Sequence, residues 1–266
     1  MQALTLPRAA GFDADQWQVL TTRFMLIDAS ERHPVYCLPS VDLLDPVRCT
    51  KLLREIGPII GSPTLKVTAS LLGKRIAFLS TAAALYAMTV FDKGLDLSLN
   101  NTVLEYQHDG KWQSRMPLID LTVTRPQAGK RAQWRERIVQ QLFAENLAPL
   151  WAALSAASGV SPKILWENLA VRIYSQYERH MIASAGQDKQ ARIQEDFDYL
   201  LHAPASVFGV KDNPLAQYHF AHTQCDGKPI RIRKTCCFYL RATTPPEYCS
   251  VCPLTYNRKA KICSGE

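Results

Sequence analysis

The pattern of apolar and polar positions divides the chain into helical stretches, one strand-like interval and a tail without clear period. Asp13 and Asp15 stand where they would cap a helix running toward Ile27. Pro34, Pro39 and Pro46 then interrupt, and a second short helix is expected from Val47 to Ile56, ending at Gly57-Pro58. Ser62-Pro63 opens a long helix, since proline is tolerated in a first turn. That helix carries the most apolar stretch, Ile76 to Phe91, held between Arg75 and Asp92. Its sixteen residues fall short of the roughly 18–20 that span a bilayer. Ser80, Thr81 and several alanines suit close packing, so a buried core helix is predicted.

The period then changes. Thr102 to Tyr106 and Trp112 to Leu121 read as strands, and Asp109-Gly110 between them is a hairpin turn signal. A loop is expected from Arg125-Pro126 to Gly129-Lys130. Helical spacing returns with Trp134, Ile138, Leu142, Phe143, Leu147, Leu150 and Trp151. Ser161-Pro162 starts another helix, with Ile164, Leu165, Leu169, Ile173 and Tyr177 down one side. A further one runs from Lys189 to Leu201 on an apolar face of Ile193, Phe197 and Leu200. From Pro214 on, the chain looks different. Ile230 and Ile232 alternate with Arg231 and Arg233 as in a short strand, and beyond Pro245 a compact, ligand-tied knot is expected. The fold class is therefore mainly α with a small β-sheet (α+β). A mostly helical body over 1–212, with a hairpin near 102–121, precedes a C-terminal region over 213–266.

Composition adds a few limits. The 266 residues, 47% of them hydrophobic, are enough for a hydrophobic core without staples. The net charge of +7 is compatible with an anionic small molecule or a peripheral contact with the inner face of the membrane. No Lys/Arg run has the length of a nucleic-acid tail, so no nucleic-acid partner is expected. The first residues lack the basic start and apolar stretch of a secretory signal, and a cytoplasmic protein with reduced thiols is expected.

The cysteines change the picture most. Six of the eight lie in the last 42 residues. Four form Cys-Cys-x11-Cys-x2-Cys: Cys236, Cys237, Cys249 and Cys252. Cys249-Ser-Val-Cys252 lets two thiolates converge through a tight turn, as zinc and iron–sulfur sites both require. Neighbouring side chains of an extended chain point apart, so Cys236 and Cys237 share one site only where the backbone turns or a larger object sits between them. A two-iron cluster is such an object. A zinc knot and four ordinary buried thiols remain as alternatives on spacing alone. His219, His222 and Cys225 form a weaker candidate set, while Cys37, Cys49 and Cys263 read as spare thiols. There is no GxGxxG and no P-loop, and no Ser/His/Asp or Cys/His hydrolytic arrangement is legible.

The stretch KTCCFYLRATTPPEYCSVCPL resembles the C-terminal motif of FhuF-like ferric siderophore reductases. Arg231, Arg233 and Lys234 match its basic lead and Pro253-Leu254 its tail, although eleven residues separate the cysteine pairs where ten are usual. Ile164 to Asn168 is similar to the family's Trp-x-Asn segment, and the helix from Ser70 to Leu85 to its alanine-rich middle helix. The resemblance implies a [2Fe–2S] cluster on Cys236, Cys237, Cys249 and Cys252. It implies one-electron reduction of a ferric siderophore of hydroxamate type, a cleft for it in the helical body, and release of Fe(II). An external donor such as a ferredoxin or flavin reductase is implied as well, with Arg231, Arg233 and Lys234 as docking residues for donor or substrate. An iron–sulfur sensor and a zinc-stabilised binding module are the competing readings.

Overall fold

The structure, a computed structural model, describes residues 11–225 and 228–256. Cys263 lies outside the described residues.

Helix α1, Ala14–Phe24, is capped by the Asp13 carboxylate, which accepts from the Gln16 N–H. Helix α2, Pro46–Ile59, starts on Asp45, whose side chain accepts from Val47 and Arg48. It continues through Gly57-Pro58, where the sequence suggested a stop. Pro58 sits in the final turn, so it forgoes one hydrogen bond only at the end of the ladder, and the chain leaves the helix at Gly61, φ +66°. Helix α3, Leu65–Phe91, is the central element. It has the length and apolarity to cross a membrane, but 83% of its most apolar window is buried inside the protein.

Two long helical runs pack around it. Helix α4, Arg131–Gln140, passes through a π-helical segment, Gln141–Leu147, into α5, Ala148–Ser158. Helix α6, Pro162–Ser175, likewise passes through Gln176–Met181 into α7, Ile182–Ser184. Helices α8, Gln187–His202, and α9, Pro214–Tyr218, complete the set. The wider π turn lets consecutive residues serve different neighbours. Gln176 donates to the Ala82 carbonyl at 2.7 Å and Tyr177 meets the Thr89 hydroxyl at 2.9 Å, both on α3. Glu178 turns the other way.

The β-structure is a set of two-stranded pairs rather than one sheet. Asp109-Gly110 does turn a hairpin, with Gly110 at φ +63°, but its paired strands are only His108–Asp109 and Lys111–Trp112. The flanking strands pair elsewhere, Val103–Glu105 antiparallel to Cys37–Pro39 and Met116–Leu118 parallel to Leu26–Asp28. Buried Leu104, Met116 and Leu118 draw these strands onto the core. In the tail, Thr223–Cys225 pairs with Lys228–Ile230. The strand expected to run on through Ile232 ends there.

Candidate functional site

The cysteine segment is seated on α3 and α6 by buried polar groups. Ser70 on α3 and Asn168 on α6 are both almost fully buried. The Asn168 amide donates to the Ser70 carbonyl at 3.1 Å, and the Ser70 hydroxyl donates to the Cys237 carbonyl at 2.9 Å. One residue before Asn168, Glu167 is 1% exposed. Its carboxylate accepts the backbone N–H groups of Lys234 and Thr235 at 2.6 and 2.7 Å, and the Thr235 hydroxyl. It also lies 3.5 Å from the Arg233 guanidinium. The two residues before the cysteine pair are thus pinned by one buried acid, and the pair itself by one buried serine.

Cys236 and Cys237 follow on this seat, with Cys249 against Cys237 and Cys252 near Cys236. Cys237 and Cys249 have their sulfurs 3.9 Å apart. Two thiolates on one tetrahedral metal with bonds of about 2.3 Å stand at about this spacing. The N–H of Cys252 donates to the Cys249 carbonyl at 3.0 Å, which closes the turn between those two, and the Arg233 N–H donates to the Val251 carbonyl at 3.1 Å. The Phe238 N–H points at the Cys236 sulfur at 3.3 Å. Burial pushes the Cys236 thiol up, and the nearby Cys237 and Cys252 add to it. Cys237 is held well below the ordinary thiol range, first by its hydrogen bond with the Cys249 thiol and then by Lys74 and Arg233. The pair shares its protons as a unit, and its first proton leaves readily.

The fit of these residues to a [2Fe–2S] cluster rests on the donor set, four thiols, and on a buried cation beside them. Among the described residues no three His, Cys, Asp or Glu side chains are placed to hold a metal ion, and two of the four thiols, Cys237 and Cys249, stand 3.9 Å apart. Arg233, 4% exposed, keeps Nε and Nη2 without a hydrogen-bond partner beside the thiols. An anionic cluster would supply the acceptors that this buried cation lacks.

The other sequence candidates fall differently. Arg231 forks onto Glu178 at 2.8 and 3.0 Å and lies over the Tyr174 ring. Arg231 and Arg233 are expected as docking residues for donor or substrate, yet each is turned inward by a carboxylate, Glu178 and Glu167. Neither offers its guanidinium to a docking partner, and Lys234 is the exposed one of the three. His219 bonds Glu178 at 3.1 Å rather than a metal set with His222 and Cys225. Cys49 is fully buried in the core, where burial pushes its thiol up to about 11. Cys37 lies in a strand pair. Trp166 is core, edge-on to Trp151.

Sequence reasoning missed Glu167 and Ser70. The signal was present: a glutamate inside the apolar run ILWENLA must find a buried partner or leave the core. It missed a groove too. Lys74 and Arg172 stand one turn beyond Ser70 and Asn168 and line a depression of about 530 Å³. Arg75, Lys111, Trp112 and Tyr239 also line it. Tyr239 follows Cys237 by two residues, so the loop between the cysteine pairs forms one wall.

Fold and site together define a helical protein that carries paired thiols on a buried polar seat beside a basic groove. A family model described as ferric iron reductase FhuF-like transporter matches residues 70–227, more than half of the chain, and the chain belongs to that family. The matched span includes Ser70, Lys74, Glu167, Asn168 and Arg172 and ends before Cys236. No curated protein matches the chain.

Proposed function

We propose that this protein is a ferric siderophore reductase of the cytosol. It would hold a [2Fe–2S] cluster on Cys236, Cys237, Cys249 and Cys252 and pass one electron at a time to a bound ferric siderophore, of hydroxamate type by resemblance. The observation that carries the reading is the 3.9 Å approach of Cys237 to Cys249, on a seat built from α3 and α6 of the family-matched span.

Siderophores hold Fe(III) with hard oxygen donors, and Fe(II) is larger, less charged and held far less tightly. One electron therefore frees the metal. A [2Fe–2S] cluster cycles by one electron, which matches that step. The chain's own residues set the conditions. Glu167 fixes the backbone before the first pair, Ser70 fixes the pair, and Arg233 brings an incompletely cancelled positive charge next to the thiolates. A separate one-electron donor, a ferredoxin or flavin reductase by class, is required because the chain carries no nucleotide fingerprint.

Anaerobically purified protein should be red-brown, with about two irons and two acid-labile sulfides per chain. Replacing Cys236, Cys237, Cys249 or Cys252 with Ser should each abolish or strongly weaken the visible spectrum, while Cys37→Ser and Cys49→Ser should not. Chemically reduced protein should release Fe(II) from a ferric siderophore to a ferrous chelator. Stoichiometric zinc without sulfide, in protein made with ample iron, would sink the cluster; rapid reduction driven by NADPH and this protein alone would refute the need for a donor.

A further inference from the structure

The groove beside the cysteines has a charge that the reductase reading does not explain. Lys74, Arg75, Lys111 and Arg172 line it, and among the described residues no Asp or Glu does. Arg75 is held in place by Ser114, its Nε donating to the hydroxyl at 2.7 Å, and not by a carboxylate. Lys74 sits over the Tyr239 ring with its ammonium 5.5 Å from the centroid. Glu247, on the Tyr239 hydroxyl, and Asp109, beside Gly110, are outside the lining. The cations also crowd one another. Burial lowers the Lys74 ammonium below its usual range, and Arg172 and Arg233 add to it, against a partial offset from Cys237 and Cys249. Arg75 is lowered by burial and by Arg172. Four positive groups held together without counter-charge cost energy that a bound anion recovers. Trp112 and Tyr239 give the same depression two aromatic walls.

We propose that the groove takes a net-anionic ferric chelate, one with carboxylate or catecholate donors beside or in place of hydroxamates. Three hydroxamates cancel the charge of Fe(III) and leave a neutral complex, which gains little from four cations. Three catecholates leave it strongly negative, and carboxylate-bearing chelates are negative as well. This rests on the reductase reading for the presence of iron and departs from it in the donor class, a net-anionic chelate in place of a neutral trihydroxamate. The electron that reduces Fe(III) to Fe(II) comes from the external one-electron donor, and no bond to the protein forms or breaks.

The test is a binding titration on the full, cluster-loaded protein with Ga(III) chelates, which copy the charge of the iron complexes and cannot be reduced. Quenching of tryptophan fluorescence or calorimetry reads the affinity. An anionic Ga(III) tris-catecholate or citrate-based chelate should bind about tenfold or more tighter than a neutral trihydroxamate at low salt. The preference should shrink as salt screens it. Lys74→Gln with Arg172→Gln should remove the preference by weakening the anionic chelate far more than the neutral trihydroxamate; Lys111→Gln, on the exposed hairpin tip, should reduce the preference should the double variant fail to fold. Equal or tighter binding of the neutral chelate would overturn the proposal, as would ADP or pyrophosphate binding where neither gallium chelate binds. The two readings fail separately. Reduction of a neutral hydroxamate without any charge preference keeps the reductase and ends the anionic groove. Tight anionic binding without iron release from the reduced protein does the reverse.

Discussion

At the scale of single residues, two side chains set the electrical environment of the thiols. Arg233 is buried, and among the described residues the carboxylate it meets is Glu167, at 3.5 Å. Glu167 spends its oxygens mainly on the backbone of Lys234 and Thr235, so it cancels Arg233 incompletely. The opposed variants make a pair of tests. Arg233→Gln removes a positive charge and should lower the midpoint potential, on the order of 100 mV. The scale follows from a few kcal/mol per charge at an effective dielectric near 20, and about 59 mV per 1.4 kcal/mol for one electron. Glu167→Gln removes a negative charge and should raise the potential, by less, because its amide still meets the backbone. Anaerobic redox titration reads both; shifts of the same sign would show that the variants disturb the fold of the site rather than its field. The cysteine spacing was readable from the chain because ligands close in sequence obey local turn geometry. Glu167 and Ser70 were not singled out, because their partners lie 67 and 167 residues away and no local period marks such a meeting.

At the scale of elements, the site depends on how closely α3 meets α6. Gly73 lies in that contact, where an added Cβ would stand 2.6 Å from a Leu165 methyl and within 4 Å of Trp151 and Leu154. Leu165 and Leu154 are fully buried and Trp151 is 1% exposed, so the methyl has little room to move. Helix propensity alone favours Gly73→Ala by about 1 kcal/mol. Overpacking a tight core costs about 1–3 kcal/mol. The second term should win, and denaturant unfolding of Gly73→Ala should show a net loss of about 1 kcal/mol. Because Ser70 and Asn168 lie one turn away, the cluster should also become easier to lose to a chelator; a more stable variant with an equally retained cluster would refute the close-contact account. The helices themselves were legible from 3.6-residue spacing, α3 and α6 especially, since long periodic runs dominate local noise. The strands were not. The turn at Asp109-Gly110 is local chemistry, whereas the pairing of Met116–Leu118 with Leu26–Asp28 joins segments 90 residues apart, and an alternating pattern does not name its partner.

At the scale of the whole molecule, the tail is clamped to the helical body at two acids, Glu167 at the thiols and Glu178 further out. Glu178 lies in the π segment after α6, whose wider turn aims it at the tail while Gln176 and Tyr177 face α3. It accepts from Arg231 at 2.8 and 3.0 Å and from His219 at 3.1 Å. Burial alone would raise its carboxyl, but the hydrogen bonds and charges of Arg231 and His219 outweigh it and hold the carboxyl below its usual range. A group depressed in the folded state contributes stability that is complete above its unfolded value, about 4.3 for a glutamate, and lost as pH falls through the lower folded value. The clamp should therefore hold across neutral and mildly acidic pH and open only below the ordinary carboxylate range. Hydrogen exchange of the tail over 213–256, followed on cluster-free protein from neutral pH downward, should show that acid step. Glu178→Gln leaves Arg231 without its counter-charge. It should loosen the tail by about 1–3 kcal/mol at neutral pH, the scale of a lost charged hydrogen bond, and flatten the acid step. A tail that exchanges alike in wild type and variant at every pH would show that Glu178 does not hold it, and would leave the attachment to Glu167 and Ser70 alone.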